Sequence, residues 1–322
     1  MKHLETCIDR LMAEKTIEHI AVRVGQGDTV LYDAYRNADA ATLFDMASVS
    51  KIIATTMLSL IAMDRGMMKL TDHIGDLTVQ QLLTHTIGVG HKALNKKGNT
   101  YENIGDYILS LPRDIPAGTD VLYSCPAFIL LGKHLEALYG KPLDVLLQEE
   151  VAVPLGMNRT CYRPIERKNI VNANPTATGL GIVNDYNCRF LGRIAGNAGV
   201  FSCMEDMERF MQMLLHQGKP LIRPETLKTA VQNYTIGMSE SRGLGFLYVD
   251  ERYAQAGGLF PNGSFGHCGH TGQSIFIDPE SKLYVIILSD ATRAVKLYGD
   301  GSYETVKQMR ADLHAAIKED LT

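Results

Sequence analysis

Ser48 and Lys51 are the first residues whose types and spacing suggest chemistry. They lie in residues 44–51, which read FDMASVSK, and an apolar run over residues 52–63 follows directly. A separation of three residues is close to one helical turn, so the lysine ammonium can reach the serine hydroxyl. A serine at the beginning of a helix also lies at the positive end of the helix dipole, which stabilises an alkoxide and its acyl adduct. The pair therefore predicts a serine nucleophile and a lysine that accepts its proton.

The apolar run predicts that this helix is buried. Burial lowers the pKa of a lysine towards the neutral form that can accept a proton. The S-x-x-K pattern is weak by itself, because a 322-residue chain with 13 serines and 16 lysines contains about 0.65 such pairs by chance. Most such pairs lie on solvated helix faces, so the assignment depends on residues found further along the chain.

Composition and charge favour a globular protein that acts on small molecules. The chain is 45% hydrophobic and 21% charged, and its net charge of -4 predicts no surface for nucleic acid or an anionic membrane. Residues 1–12 carry charges throughout and lack the apolar core of a signal peptide. The six cysteines are scattered and form no C-x-x-C pair, as expected for reduced thiols. These features predict a cytoplasmic protein without a metal or organic cofactor.

Hydrophobic patterns place strands at both ends of the chain and helices between them. Strand-like runs occupy residues 19–24 and 29–34, joined by a turn, and four segments between 244 and 289, whereas residues 76–215 are mainly helical. This order predicts an α+β fold in which N- and C-terminal strands form an antiparallel sheet flanked by helices, with an inserted, mainly helical lobe. We expect residues 1–322 to form a single catalytic domain. Its α/β lobe comprises about 1–65 and 220–322, and its helical lobe about 66–219.

Two further stretches follow the serine and the lysine. Tyr123-Ser124-Cys125 comes after a loop with prolines and a glycine, and His267-Cys268-Gly269 lies on a predicted strand. This order resembles the penicillin-recognising serine hydrolases, namely class C β-lactamases, DD-peptidases and related esterases, with Tyr123 as the tyrosine of their Y-x-N element. The resemblance covers roughly residues 20–290. It includes the segments 82–88 (LLTHTIG), 154–157 (PLGM), 196–202 (GNAGVFS) and 265–272 (FGHCGHTG).

The resemblance implies a β-lactamase/transpeptidase-like fold and a mechanism. Ser48 would attack a carbonyl carbon, and Lys51 and Tyr123 would share the removal and return of its proton. The backbone N–H groups of Ser48 and His270 would form the oxyanion hole, and water would release the acyl-enzyme. Cys125, His267, Gly269 and His270 would contact the substrate.

Two departures from the family pattern bear on the substrate. Cys125 stands where the family usually has asparagine, and His267 stands where β-lactamases have the lysine of K-T-G. A histidine with an ordinary pKa near 6.5 is mostly neutral at pH 7, so the fixed charge that would bind a substrate carboxylate is missing. We therefore expect a serine hydrolase of small esters or amides, esterase-like rather than an efficient β-lactamase.

Other functions and simpler roles stay open. DD-peptidase, D-aminopeptidase or β-lactamase activity is the nearest alternative, with a peptide, amide or β-lactam as substrate. A non-catalytic penicillin-binding-like protein and a thiol-dependent sensor using Cys125 and Cys268 belong to different classes. His85, in its LLTHT context, is expected to be structural. A metal site at His267, Cys268 and His270 is disfavoured, because this spacing brings the ligands together poorly and supplies no carboxylate.

Overall fold

The largest sheet joins strands from the two ends of the chain. The computed structural model describes residues 1–164, 168–174, 176 and 179–322. Its six-stranded sheet has the order β2-β1-β11-β10-β9-β8, and every neighbouring pair is antiparallel. The strands of this sheet are β1 Ile20–Gln26, β2 Thr29–Arg36, β8 Leu247–Tyr248, β9 Phe265–Cys268, β10 Ser274–Ile277 and β11 Leu283–Ser289.

Helices precede, separate and follow these strands along the chain. They are α1 Lys2–Ala13, α2 Met57–Asp64, α3 Val79–Leu83, α4 Ile104–Ser110, α5 Cys125–Tyr139, α6 Leu143–Leu146, α7 Val153–Leu155, α8 Tyr186–Phe190, α9 Met204–Leu215, α10 Pro224–Ala230, α11 Ala291–Tyr298 and α12 Tyr303–Leu321. The predicted α+β fold, with its sheet of N- and C-terminal strands flanked by helices, is confirmed. The domain limits and the lobe boundaries near 65 and 219 stay a prediction.

The central strands β1 and β11 are buried on both faces because helices cover each side. The register runs from Ile20 opposite Ser289 to Gln26 opposite Leu283. Alternate residues point to opposite faces of a strand. One face, with Val22 and Ile287, therefore packs in a core with α1 and α12, and the other face belongs to the larger core that contains α2 and α5.

The nucleophile segment follows directly on a strand of a second, smaller sheet. A three-stranded sheet has the order β3-β7-β6, with β3 Phe44–Asp45, β6 Cys161–Tyr162 and β7 Val200–Ser202, and a small hairpin joins β4 His73–Ile74 to β5 Leu77–Thr78. The chain leaves β3 at Asp45 and reaches Ser48 three residues later. Strand β3 thus determines where the nucleophile segment begins.

The predicted buried helix after Ser48 is composed of three kinds of turn. A 3₁₀ turn spans Ala47–Val49, a π-helix spans Lys51–Thr56, and α2 follows. By length and composition residues 47–64 could cross a membrane, with a mean hydropathy of 1.3, but 83% of this stretch is buried inside the protein. π-Helical turns are rare and occur frequently at functional sites.

Candidate active site

Ser48, Lys51 and Tyr123 meet at one oxygen atom. Lys51 Nζ donates to Ser48 Oγ at 3.0 Å, and Tyr123 Oη donates to the same Oγ at 2.7 Å. Tyr123 lies 75 residues from Ser48 in sequence, immediately before the N-cap of α5. The structure therefore places the three predicted catalytic side chains within hydrogen-bond distance, and their catalytic roles stay predictions.

Lys51 is fully buried and keeps its proton. Its ammonium also donates to the carbonyl oxygen of Asn197 at 2.9 Å and lies 3.8 Å from Cys125 Sγ. Burial lowers the pKa of Lys51, but Cys125, Tyr123 and Asp185 favour the charged form, and the net effect raises the pKa. The sequence-based expectation that burial makes this lysine neutral is wrong, because these groups converge on it from other parts of the chain.

The Tyr123 ring is held between an imidazole and two cations. Its centroid lies 4.5 Å from that of His85, 5.0 Å from Lys51 Nζ and 5.5 Å from the Arg242 guanidinium. Burial raises the pKa of Tyr123, and the ammonium of Lys51 opposes this rise. In the resting protein both donors to Ser48 are therefore protonated. Proton removal from Ser48 requires this pair to lose a proton first, which higher pH favours.

His85 has the structural contacts expected from its sequence context. Its Nδ1 accepts a hydrogen bond from the Ser124 backbone N–H at 3.0 Å, and its ring packs against Tyr123 and Phe128. Burial, followed by the charges of Arg242 and Lys51, lowers its pKa well below 6.5. A neutral His85 therefore supports the start of α5 and the position of the Tyr123 ring.

His267 in β9 carries no fixed positive charge. Its Nδ1–H donates to the carbonyl oxygen of Cys268 at 2.8 Å, which leaves the lone pair on Nε2. Burial is the main cause that lowers the His267 pKa well below 6.5, and Arg242 and Lys51 add to it. The expectation that this histidine is neutral at pH 7 is confirmed.

A buried arginine of α12 holds the Gly269–His270 peptide in place. Arg310 Nη2 of α12 donates to the Gly269 carbonyl oxygen at 2.6 Å, and the Gly269 N–H donates to the carbonyl of Gln273 at 2.9 Å. In a trans peptide the C=O and the next N–H point in opposite directions. Arg310 therefore turns the His270 N–H, the predicted oxyanion donor, away from α12. The His270 ring stacks on Tyr303 with 4.6 Å between centroids.

These residues line one cavity of about 840 Å³. Ser48, Tyr123, Cys125, His267 and His270 all contribute to its wall. The charged residues of the wall are Asp185, Arg189, Glu240, Arg242, Lys296 and Lys307. Four of these six residues are cationic, so the charged part of the wall is mainly positive.

Arg242 is one of the wall residues that sequence reasoning missed. It is 4% exposed, pairs with Glu240 at 2.6 Å, and its Nη1 has no partner among the described residues. It belongs to no motif. The only available signal was a single charge within the otherwise uncharged stretch 241–248, SRGLGFLY.

The potential metal ligands that converge in the described part of the chain already have protein partners. Within those ranges, three potential ligand side chains converge at Glu18, His19 and Asp290. The Asp290 carboxylate already accepts the backbone N–H groups of Glu18 and His19, at 3.0 and 2.9 Å, and Arg293 pairs with Glu18. This cluster joins β1 to the start of α11 and offers no vacant pair of ligands.

Known proteins resemble this chain over most of its length. The Beta-lactamase family model matches residues 4–303. A putative D-alanyl-D-alanine carboxypeptidase from Escherichia coli K12 is 26% identical, covering 81% of this chain and 72% of that protein. Esterase EstB from Burkholderia gladioli is 25% identical, covering 89% of each. The structure of the octameric penicillin-binding protein homologue from Pyrococcus abyssi matches with a TM-score of 0.72 and 19% identity, over 91% of this chain and 76% of that one.

The family model covers most of the chain, and the structural match confirms the predicted β-lactamase/transpeptidase-like fold. The relatives include hydrolases named as carboxypeptidase and esterase. This chain therefore belongs to the β-lactamase family of serine hydrolases.

Proposed function

We propose that the protein hydrolyses small esters through an acyl-enzyme on Ser48. The observation that carries this proposal is the contact of Ser48 Oγ with both Lys51 Nζ and Tyr123 Oη at the wall of a substrate-sized cavity. Ser48 Oγ attacks the ester carbonyl, and its proton passes through the Lys51–Tyr123 pair to the departing alcohol. Water then cleaves the acyl–Oγ bond by the reverse proton path.

The preference for uncharged esters over β-lactams is supported by His267. A β-lactam or a D-Ala-D-Ala terminus presents a carboxylate, and a charge-assisted hydrogen bond to it contributes about 1.5–3 kcal/mol. The neutral His267 supplies no positive charge for such a carboxylate, and its Nε2 is buried without a hydrogen-bond partner among the described residues. The esterase among the relatives supports the same assignment.

A carboxypeptidase-like activity on peptides is the second candidate. The observation that favours it is the buried Arg242, whose Nη1 lacks a partner among the described residues beside the cavity. A permanent guanidinium charge there attracts anionic substrates even without a lysine at position 267. The relative from Escherichia coli carries the corresponding name.

The two candidates differ in a measurable ratio. We would compare kcat/KM for p-nitrophenyl acetate and butyrate with kcat/KM for nitrocefin and for a D-Ala-D-Ala peptide, each normalised to its uncatalysed rate. The proposal predicts that the esters rank first. A normalised preference for the peptide or for nitrocefin would overturn the esterase assignment and leave Ser48 as the nucleophile. Stoichiometric acylation without turnover of any ester would instead favour a binding protein.

We also propose that the protein acts in the cytoplasm. The six cysteines are free, which is compatible with a reducing compartment. Fractionation of the source cells with an antibody against the protein tests this location. Recovery outside the cytoplasmic fraction would refute it.

A further inference from the structure

Asp45, three residues before the nucleophile, is a buried carboxylate that binds backbone N–H groups. It is 0% exposed, and none of the ion pairs between described residues includes it. Its Oδ1 accepts the Ala47 N–H at 2.8 Å, and its Oδ2 accepts the Asn184 N–H at 2.6 Å. Burying a carboxylate without a cation is costly, so a local requirement must offset that cost.

The first requirement is the conformation of Ala47. This residue has φ = +45°, in the left-handed region that residues with a Cβ rarely adopt. Ala47 begins the 3₁₀ turn that contains Ser48. The hydrogen bond from the Ala47 N–H to Asp45 therefore stabilises the strained turn that directs Ser48 Oγ towards Lys51 and Tyr123.

The second requirement is the position of two cavity walls. Asn184, held by Asp45 Oδ2, precedes Asp185, which accepts a hydrogen bond from the Asn197 side chain at 3.1 Å. The carbonyl of Asn197 in turn accepts from Lys51. The main-chain oxygen of Asp45 accepts from Thr271 Oγ1 at 2.8 Å, next to the His270 peptide. Asp45 thus connects the nucleophile turn to both walls.

We propose that Asp45 is a positioning residue for the nucleophile: its ionised carboxylate holds the Ala47 turn and thereby places Ser48 Oγ between Lys51 and Tyr123. This role rests on the proposed function, since it requires Ser48 to be the nucleophile. Asp45 touches no substrate and acts only through the backbone that it binds.

The ionisation of Asp45 gives this role a distinctive pH dependence. Burial raises the Asp45 pKa to about 6, against the lowering effect of the Asn184 and Ala47 N–H groups. Nearby, Asp185 raises it further and Arg189 lowers it. Protonation converts one acceptor oxygen into a hydroxyl, so one N–H loses its partner. The folded-state pKa lies above the ordinary value of 3.8, so the folded protein binds this proton more tightly than the unfolded chain does. Protonation of Asp45 between pH 6 and pH 4 therefore stabilises the folded state relative to the unfolded state. Activity is therefore lost on acidification although Asp45 itself does not destabilise the fold.

The test compares Asp45→Asn with Asp206→Asn. Asp206 is also buried and accepts the backbone N–H groups of Arg159 and Thr160, at 2.8 and 2.7 Å, but it does not line the cavity. For each protein we would measure ester kcat/KM, the rate of Ser48 labelling by a fluorophosphonate, and the unfolding temperature from pH 5 to 9. In the wild type we expect both rates to fall more steeply below about pH 6. We call this part of the pH–rate profile the acid limb.

Asp45→Asn is expected to lower both rates at pH 8 by tenfold or more, to remove the steeper acid limb, and to leave the unfolding temperature no lower than in the wild type. Asp206→Asn is expected to keep the wild-type rates and the acid limb while losing thermal stability. Wild-type rates in Asp45→Asn, or an unchanged acid limb, would overturn the positioning role. Failure to label Ser48 in the wild type would overturn the proposed function itself.

Glycine at position 47 provides a second test that does not depend on the stability of Asp45→Asn. Glycine adopts positive φ without strain, so it reduces the need for the carboxylate. Ala47→Gly is expected to weaken the acid limb, and in the Asp45→Asn background it is expected to recover part of the lost rate. An acid limb unchanged by Ala47→Gly would contradict the proposal even if Asp45→Asn does not fold.

Discussion

Replacing Tyr123 by phenylalanine separates catalysis from packing at the same residue. The substitution removes the hydroxyl that donates to Ser48 Oγ at 2.7 Å. It keeps the ring, and with it the contacts to His85 and to the two neighbouring cations. The variant therefore tests the hydroxyl alone.

The expected effects on rate and on stability differ in size. Loss of a positioned proton-transfer group typically lowers the rate by about 10² or more, which corresponds to about 2.7 kcal/mol of activation free energy. Loss of one hydrogen bond between neutral groups lowers the free energy of unfolding by only about 1 kcal/mol.

Ester kcat/KM and the free energy of unfolding in urea would be measured for Tyr123→Phe and for Tyr284→Phe. Tyr284 is the control for the loss of a tyrosine hydroxyl outside the cavity. Its hydroxyl donates to Glu208 at 2.6 Å, where β11 packs against α9, and it does not line the cavity. The control is expected to lose stability and to retain kcat/KM. Comparable losses of activity in the two variants, or a Tyr123→Phe variant with near-wild-type kcat/KM, would refute the assigned role of the Tyr123 hydroxyl.

Four further outcomes are expected. Lys51→Met, which preserves volume, should lower kcat/KM by about 10² or more while the protein stays folded by circular dichroism. Because the pKa values of Lys51 and Tyr123 are both raised, wild-type kcat/KM should increase from pH 7 to pH 9, and a flat profile would contradict this. Cys125→Ser should retain most ester hydrolysis and should make the enzyme resistant to thiol alkylation if Cys125 is the modified thiol of the cavity. His267→Lys should raise the ratio of kcat/KM for nitrocefin to kcat/KM for the ester by roughly tenfold. An unchanged ratio would show that residue 267 does not determine recognition of the substrate carboxylate.

Local sequence patterns predicted much of the scaffold and part of the site. Helical spacing alone brought Ser48 and Lys51 together, and strand-like apolar runs predicted the strands that became β1 and β11. Tyr123 and His267 were identified by resemblance, since nothing in their own neighbourhoods marks a tyrosine or a histidine as functional. Ser48 and Lys51 therefore lie in a segment that carries its own signal, whereas Tyr123 and His267 do not.

The properties that depend on several distant segments were not predictable in this way. The direction of the Lys51 pKa shift is determined by Cys125, Tyr123 and Asp185, which meet it only in the folded protein. Arg242 enters the cavity wall from a segment without a motif. Asp45 was visible as a residue of the nucleophile segment, but its role depends on a hydrogen bond to Asn184, 139 residues away.

Intact-protein mass spectrometry after treatment with a fluorophosphonate tests the central claim most directly. The claim is that Ser48 Oγ, in contact with Lys51 and Tyr123, is the nucleophile. Ser50 provides the control within the same motif, because it is buried and its Oγ accepts the Val200 N–H at 3.1 Å. We predict one adduct per chain in the wild type and in Ser50→Ala, and none in Ser48→Ala. An adduct that persists in Ser48→Ala, or a wild-type protein that is not labelled, would contradict the account.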